Sequence, residues 1–138
     1  MTLAEKQNQL IEELSLFPDP HERLAFIIEG AKKRPGLDSN YKIDAFRIEG
    51  CQSNLWVVPE FKDGLCYFSA DSDAVITKGI AGILTDFYSG SSPSAIIECE
   101  PDFLSKAGIT QHLTPNRRNG LSNVWARIKG FAEINLKH

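Results

Sequence analysis

The chain has 138 residues, 42% of them hydrophobic and 24% charged, a composition that excludes a disordered segment. That length admits one compact domain, residues 1–138, and leaves too little chain for two. A net charge of 15 − 18 = −3 argues against sequence-independent nucleic-acid binding, and no apolar run is long enough to cross a bilayer.

Residues Met1 to Lys6 run into polar sequence rather than a signal-peptide core. The three cysteines, Cys51, Cys66 and Cys99, are widely spaced and odd in number, so they form no disulfide framework. Free thiols suit a reducing compartment, and a cytoplasmic location is expected.

Leu3, Leu10, Ile11, Leu14 and Phe17 recur at helical spacing and predict a first helix ending at Phe17-Pro18. Asp19 is placed to cap a second helix, with Pro20 at its first position and Glu22 where a capping box needs a carboxylate. Leu24, Ile27, Ile28 and Ala31 form its apolar face, Lys32-Lys33-Arg34 suit the negative end of its dipole, and Pro35-Gly36 closes it. After an irregular stretch, strands are expected at 45–49, 54–61 and 65–70. Asp63-Gly64 predicts a hairpin between the last two, and Pro59 marks its strand as an edge or a bulge.

Asp71, Ser72 and Asp73 offer capping oxygens to a helix carrying Val75, Ile76, Ile80, Ile83, Leu84 and Phe87. Its wide apolar face makes it the expected central helix, with Gly79 and Gly82 allowing close packing. Ser92-Pro93 and Pro101-Asp102 open two short helices, and Leu121, Val124, Trp125, Ile128 and Phe131 mark a last one. The order of helices, small antiparallel sheet and helices predicts an α+β fold.

The chemistry-bearing residue is Cys51, in Gly50-Cys51-Gln52-Ser53-Asn54-Leu55-Trp56 between two strand-like runs. Gly50 permits a sharp turn and close approach of another molecule, and an ionised thiol there would be nucleophilic. The alternative is a half-buried structural cysteine. Cys66 alternates with Phe68 and reads as core, whereas Cys99 lies between Glu98 and Glu100, whose charges disfavour its thiolate. Cys51, Cys66, Cys99, Asp73 and His112 are also ligand types for zinc or an iron-containing cluster, although no CxxC or HxxxH pair supports this. Phosphate-binding glycine motifs are absent.

Residues Thr110 to Leu121 are dense in hydrogen-bonding groups. Within them, Thr114 and Asn119 read as helix caps, His112 as a base or a structural hydrogen-bonder, and Arg117 as a cation for a sulfur anion, a partner carboxylate or solvent.

Three blocks carry a resemblance: Gly50 to Trp56, then Asp71-Ser72-Asp73-Ala74 with Lys78-Gly79, then Thr110-Gln111-His112-Leu113-Thr114-Pro115-Asn116-Arg117. In this order and spacing they resemble the SufE family, which includes the close relative CsdE, and the resemblance covers essentially the whole chain. Asn54-Leu55 and Arg118-Asn119 are slight departures from the usual pattern.

The resemblance implies an antiparallel, about three-stranded sheet with packed helices, as in U-type iron–sulfur scaffolds. It implies a sulfur acceptor for a SufS- or CsdA-type cysteine desulfurase. Cys51 would carry the persulfide, stimulate the desulfurase by clearing its intermediate, and pass sulfur to a SufBCD-type scaffold. Arg117, Asp73 and His112 are the accompanying site residues. Arg117 would steady the sulfur or steer the loop, and Asp73 would hold the loop or Arg117, or simply cap a helix. Pyridoxal phosphate would belong to the partner, so no cofactor and no metal of its own are expected. The chain would be a transpersulfuration partner rather than a stand-alone enzyme, with a second copy of itself as a further candidate partner, and with neither nucleic acid nor membrane. The competing readings are a metal- or cluster-binding scaffold and a non-covalent desulfurase regulator.

Overall fold

The computed structural model describes residues 2–136. Helix α1 (Leu3–Ser15) starts at a capping box in which Thr2 accepts from the Glu5 N–H while the Glu5 carboxylate accepts from the Thr2 N–H. Asp19 caps α2 (Pro20–Lys33), but its carboxylate accepts from the His21 N–H, one position short of the box expected with Glu22.

Strands β1 (Leu55–Lys62) and β2 (Leu65–Ser72) form the antiparallel hairpin, closed by Asp63 and Gly64 at φ +53° and +80°. Positive φ at both turn residues suits the strand twist, which is why Asp-Gly signals this turn. Pro59 pairs with Phe68, whose N–H donates to Ser89 Oγ on the side away from β1. The pair exchanges no ladder bond, so the missing Pro59 N–H costs the hairpin nothing.

Among the described residues the sheet has two strands, not three. The expected strand at 45–49 is taken up by a 3-10 turn at Asp44–Phe46, leaving one bridge, Arg47 to Trp56, on the β1 edge. A second bridge, Cys66 to Ser91, flanks β2.

Helix α3 (Val75–Tyr88) is the central helix, with Ile80, Ala81, Leu84, Phe87 and Tyr88 buried. It lies across β2 and against α2, where a Cβ on Gly79 would come within 2.9 Å of the Ile27 carbonyl oxygen. Ala74 occupies its N-cap position without a side-chain bond, so Asp71, Ser72 and Asp73 do not cap it as expected. Asp71 is instead buried, accepting from the Leu37 N–H and pairing with Lys42 and Lys78. Burial opposes its charge, but the Leu37 N–H and Lys42 outweigh it and hold the carboxyl below its ordinary range.

Short helices α4 (Pro93–Ile97), capped by Ser92, and α5 (Phe103–Lys106) lead to α6 (Pro115–Asn135). Thr114 caps α6 by accepting from the Arg117 N–H. The helix therefore starts well before Asn119, which is interior rather than a cap. Among the described residues no helix is long and apolar enough to cross a membrane.

Candidate functional site

Cys51 sits in the loop between the Arg47 bridge and β1. Leu55, fully buried, anchors the downstream end, and Trp56 is half-buried with the Lys42 ammonium 5.5 Å from its ring centre. Burying a leucine contributes about 2–3 kcal/mol, enough to fix where β1 begins. On the other flank Gly50 adopts φ +78°, a conformation that side chains resist.

The thiol is half-buried and rests on α6: a Cβ at Gly120 would lie 3.1 Å from Cys51 Sγ and 3.2 Å from its Cβ. A cavity of about 260 Å³ opens beside it, lined by Cys51, Gln52, Ser53, Thr114, Asn116 and Arg117. Thr114, Asn116 and Arg117 belong to the cap and first turn of the 21-residue α6, whose N-terminus carries partial positive charge. Arg117 is exposed and forms no ion pair among the described residues. A sulfur anion in this cavity would meet a guanidinium and a helix N-terminus.

Asp73 accepts from both the backbone N–H (3.1 Å) and the side-chain amide (3.0 Å) of Asn54, three residues beyond Cys51. Asn54 Oδ1 in turn accepts from Arg47 Nε at 3.2 Å. Asp73 thus holds the loop, not α3 and not Arg117. His112 lies in the 3-10 turn Thr110–His112, its ring 5.4 Å from that of His21, and does not line the Cys51 cavity.

The other two thiols are differently placed. Cys66 is fully buried in β2, and burial pushes its thiol up. Cys99 is pushed up by burial and by the charge of Asp102, rather than by the flanking Glu98 and Glu100. Among the described residues no group of three or more His, Cys, Asp and Glu side chains could hold a metal ion.

Sequence reasoning gave no site role to Asn119, Gly120, Asn123 and Arg127. The side chains of Asn119 and Asn123 donate to the carbonyls of Gly50 (3.0 Å) and Glu49 (2.6 Å), and Arg127 donates to those of Ala45 and Arg47. Their i, i+4, i+8 spacing becomes a signal only once α6 is known to begin at Pro115.

Fold and site together define a small α+β domain that presents one thiol beside an arginine. The SufE family model, described as an Fe-S metabolism associated domain, matches residues 8–132. The chain belongs to the SufE family. A SufE-like protein of Synechocystis sp. is 31% identical over 128 residues, covering 93% of this chain and 80% of that protein. A Plasmodium falciparum protein named cysteine desulfuration protein SufE is 32% identical over 142 residues, 99% of this chain and 57% of its own length. The solution structure of a hypothetical protein from Thermus thermophilus superposes with a TM-score of 0.77 at 25% identity, covering 96% of this chain and 97% of that one.

Proposed function

We propose that this chain is a sulfur carrier that accepts persulfide sulfur on Cys51 from a cysteine desulfurase of the SufS type. The Cys51 thiolate attacks the outer sulfur of the persulfide on the desulfurase cysteine. One S–S bond forms at Cys51, the S–S bond on the donor breaks, and the donor cysteine leaves as a thiolate. No oxidant or reductant is consumed. Clearing the donor's persulfide frees it for another turnover, which is how acceptance stimulates the desulfurase. The carried sulfur passes by a second exchange of the same kind to an iron–sulfur assembly scaffold of the SufBCD type, in a reducing compartment such as the cytosol.

The observation that carries this reading is the placing of Cys51 in a small cavity beside Arg117 and the α6 N-terminus, while Cys66 is buried outright. The name of the Plasmodium relative, a cysteine desulfuration protein, points the same way. Arg117 is assigned to the sulfur anion, and Asp73 to the downstream end of the loop. His112 is given no part in the transfer, since its ring stands against His21.

The test is intact-protein mass spectrometry after incubation with a SufS-type desulfurase and free cysteine. The expected result is a gain of one or more sulfur atoms, reversed by reductant and absent in Cys51→Ser. A desulfurase stimulated equally by Cys51→Ser would replace carriage with non-covalent regulation.

A further inference from the structure

Four backbone carbonyls on the upstream flank of Cys51, those of Ala45, Arg47, Glu49 and Gly50, accept hydrogen bonds from just three side chains of α6. Asn119, Asn123 and Arg127 stand at i, i+4 and i+8 and so share one face of the helix. Gly50 fits this face because it has no side chain. A Cβ there would lie 2.4 Å from Asn123 Nδ2 and 2.8 Å from Asn119 Nδ2. The downstream flank is held separately, by Asp73 on Asn54. Between the two, among the described residues, no hydrogen bond engages Cys51, Gln52 or Ser53.

We infer that the Asn119–Asn123–Arg127 face of α6 is a clasp that seats the Cys51 loop, and that these three are positioning residues for sulfur transfer. Closed, the clasp sets Cys51 against Gly120 and turns its sulfur toward the Arg117 cavity. Released, it frees Glu49 and Gly50, with Ile48 still buried and bonded to the Leu55 carbonyl, and lets the thiol leave helix α6. Each bond is a neutral or singly charged donor on a main-chain carbonyl at or near the surface, so each contributes modestly and the set opens stepwise rather than all at once. Loss of one such bond raises the open population about fivefold. The role of the clasp in transfer rests on the carrier reading; its control of Cys51 exposure does not.

The experiment measures both. Asn119→Leu and Asn123→Leu keep the side-chain shape and remove the donor, and Gly120→Ala adds a methyl 3.1 Å from Cys51 Sγ in a helix that alanine favours. In the full chain, alkylation by iodoacetamide is followed cysteine by cysteine by peptide mass spectrometry, and persulfide transfer from a SufS-type desulfurase is followed in parallel. Cys51 alkylation is expected to rise about fivefold in each leucine variant and further in the pair, with Cys99 unchanged. Asn123→Gln, which keeps the donor, should restore part of the protection. Gly120→Ala should speed Cys51 alkylation without lowering the unfolding midpoint, which a loss of general stability cannot mimic. In transfer, the leucine variants should change the half-saturating concentration and the maximal rate by different factors.

Unchanged Cys51 alkylation in both the leucine pair and Gly120→Ala overturns the clasp, as does a rise at Cys99 in step with Cys51. Faster Cys51 alkylation in a chain that gains no sulfur leaves the clasp standing and removes the carrier reading.

Discussion

Gly50→Ala puts a number on how tightly the loop is fitted to α6. Two separate penalties follow from the geometry. Alanine at φ +78° costs about 1–2 kcal/mol in backbone strain. Its methyl carbon would also fall 2.4 Å and 2.8 Å from the two asparagine amide nitrogens, so both amides must turn away from Gly50 and Glu49. Two lost hydrogen bonds add about 1 kcal/mol each, less where water replaces them. The expected loss is about 3 kcal/mol, read as a shift in the urea midpoint at constant slope. A double-mutant cycle separates the penalties. Backbone strain persists in an Asn119→Ala/Asn123→Ala background, whereas the steric part vanishes with the amides. Gly50→Ala should therefore cost about 1–2 kcal/mol less in that background, as coupling between contacting residues. Additivity within about 0.3 kcal/mol would mean that the loop does not touch α6 through Gly50, and the reasoning would fail.

Arg117→Ala should slow sulfur transfer up to about fivefold without changing the unfolding midpoint, since an exposed arginine beside an anion contributes up to about 1 kcal/mol; rate and midpoint measured on the same sample check this. Asp71→Asn should cost about 2–3 kcal/mol at pH 7, because it leaves Lys42 and the Leu37 N–H without their charged partner. Its carboxyl is held below the ordinary aspartate value, so its contribution is complete above about pH 4 and fades as pH falls through the lower folded value. The gap between the two unfolding midpoints should accordingly narrow as pH falls below about 4, and a gap that stays constant from neutral pH into acid contradicts the assignment. Thiol labelling in the native state should proceed in the order Cys51, Cys99, Cys66, with Cys66 reacting only on unfolding, since burial holds Cys66 and Cys99 toward the protonated form.

The parts of the fold that were legible are those written in local chemistry. Asp63-Gly64 specifies its turn, Asp19-Pro20 starts a helix, and the wide apolar face of α3 requires a central position, whereas Thr114 and Asn119 are both open as the cap of α6. The expected third strand does not form because residues 45–49 have strand composition but other partners. The carbonyls of Ala45, Arg47 and Glu49 turn to Arg127 and Asn123, and only Ile48 reaches back to β1, through its N–H on the Leu55 carbonyl at 2.7 Å. Asp71 has the sequence position of a cap, since aspartate before a helix usually is one. Its burial against the Leu37 N–H and Lys42 depends on a segment 30 or so residues earlier, which no local pattern reports. Cys51 and Arg117, which residue type and neighbours single out, line one cavity, whereas the place of Asn119 and Asn123 depends on the register of α6.

The two ends of the loop also set how far Cys51 can travel. With Gly50 and Asn54 both held, only Cys51, Gln52 and Ser53 can move, and the sulfur shifts by a few ångströms at most, on the order of one or two residues of extended chain at about 3.4 Å each. That is enough to turn the sulfur within the Arg117 cavity but not to enter a cleft in another protein. Opening the α6 clasp adds Glu49 and Gly50, roughly 7 Å of further chain, because Ile48 stays buried and bonded to Leu55. Asp73, at the other end, then serves as the pivot, because Leu55 stays buried in the core whatever the clasp does. A persulfide must be kept from reductant between partners and handed over on contact, and these two ranges of motion correspond to the two requirements. On the carrier reading proposed above, strengthening the clasp should therefore protect the carried sulfur and slow its delivery, and weakening it should do the reverse. A carrier with both ends equally free would gain reach only by losing its cargo to the surrounding thiols.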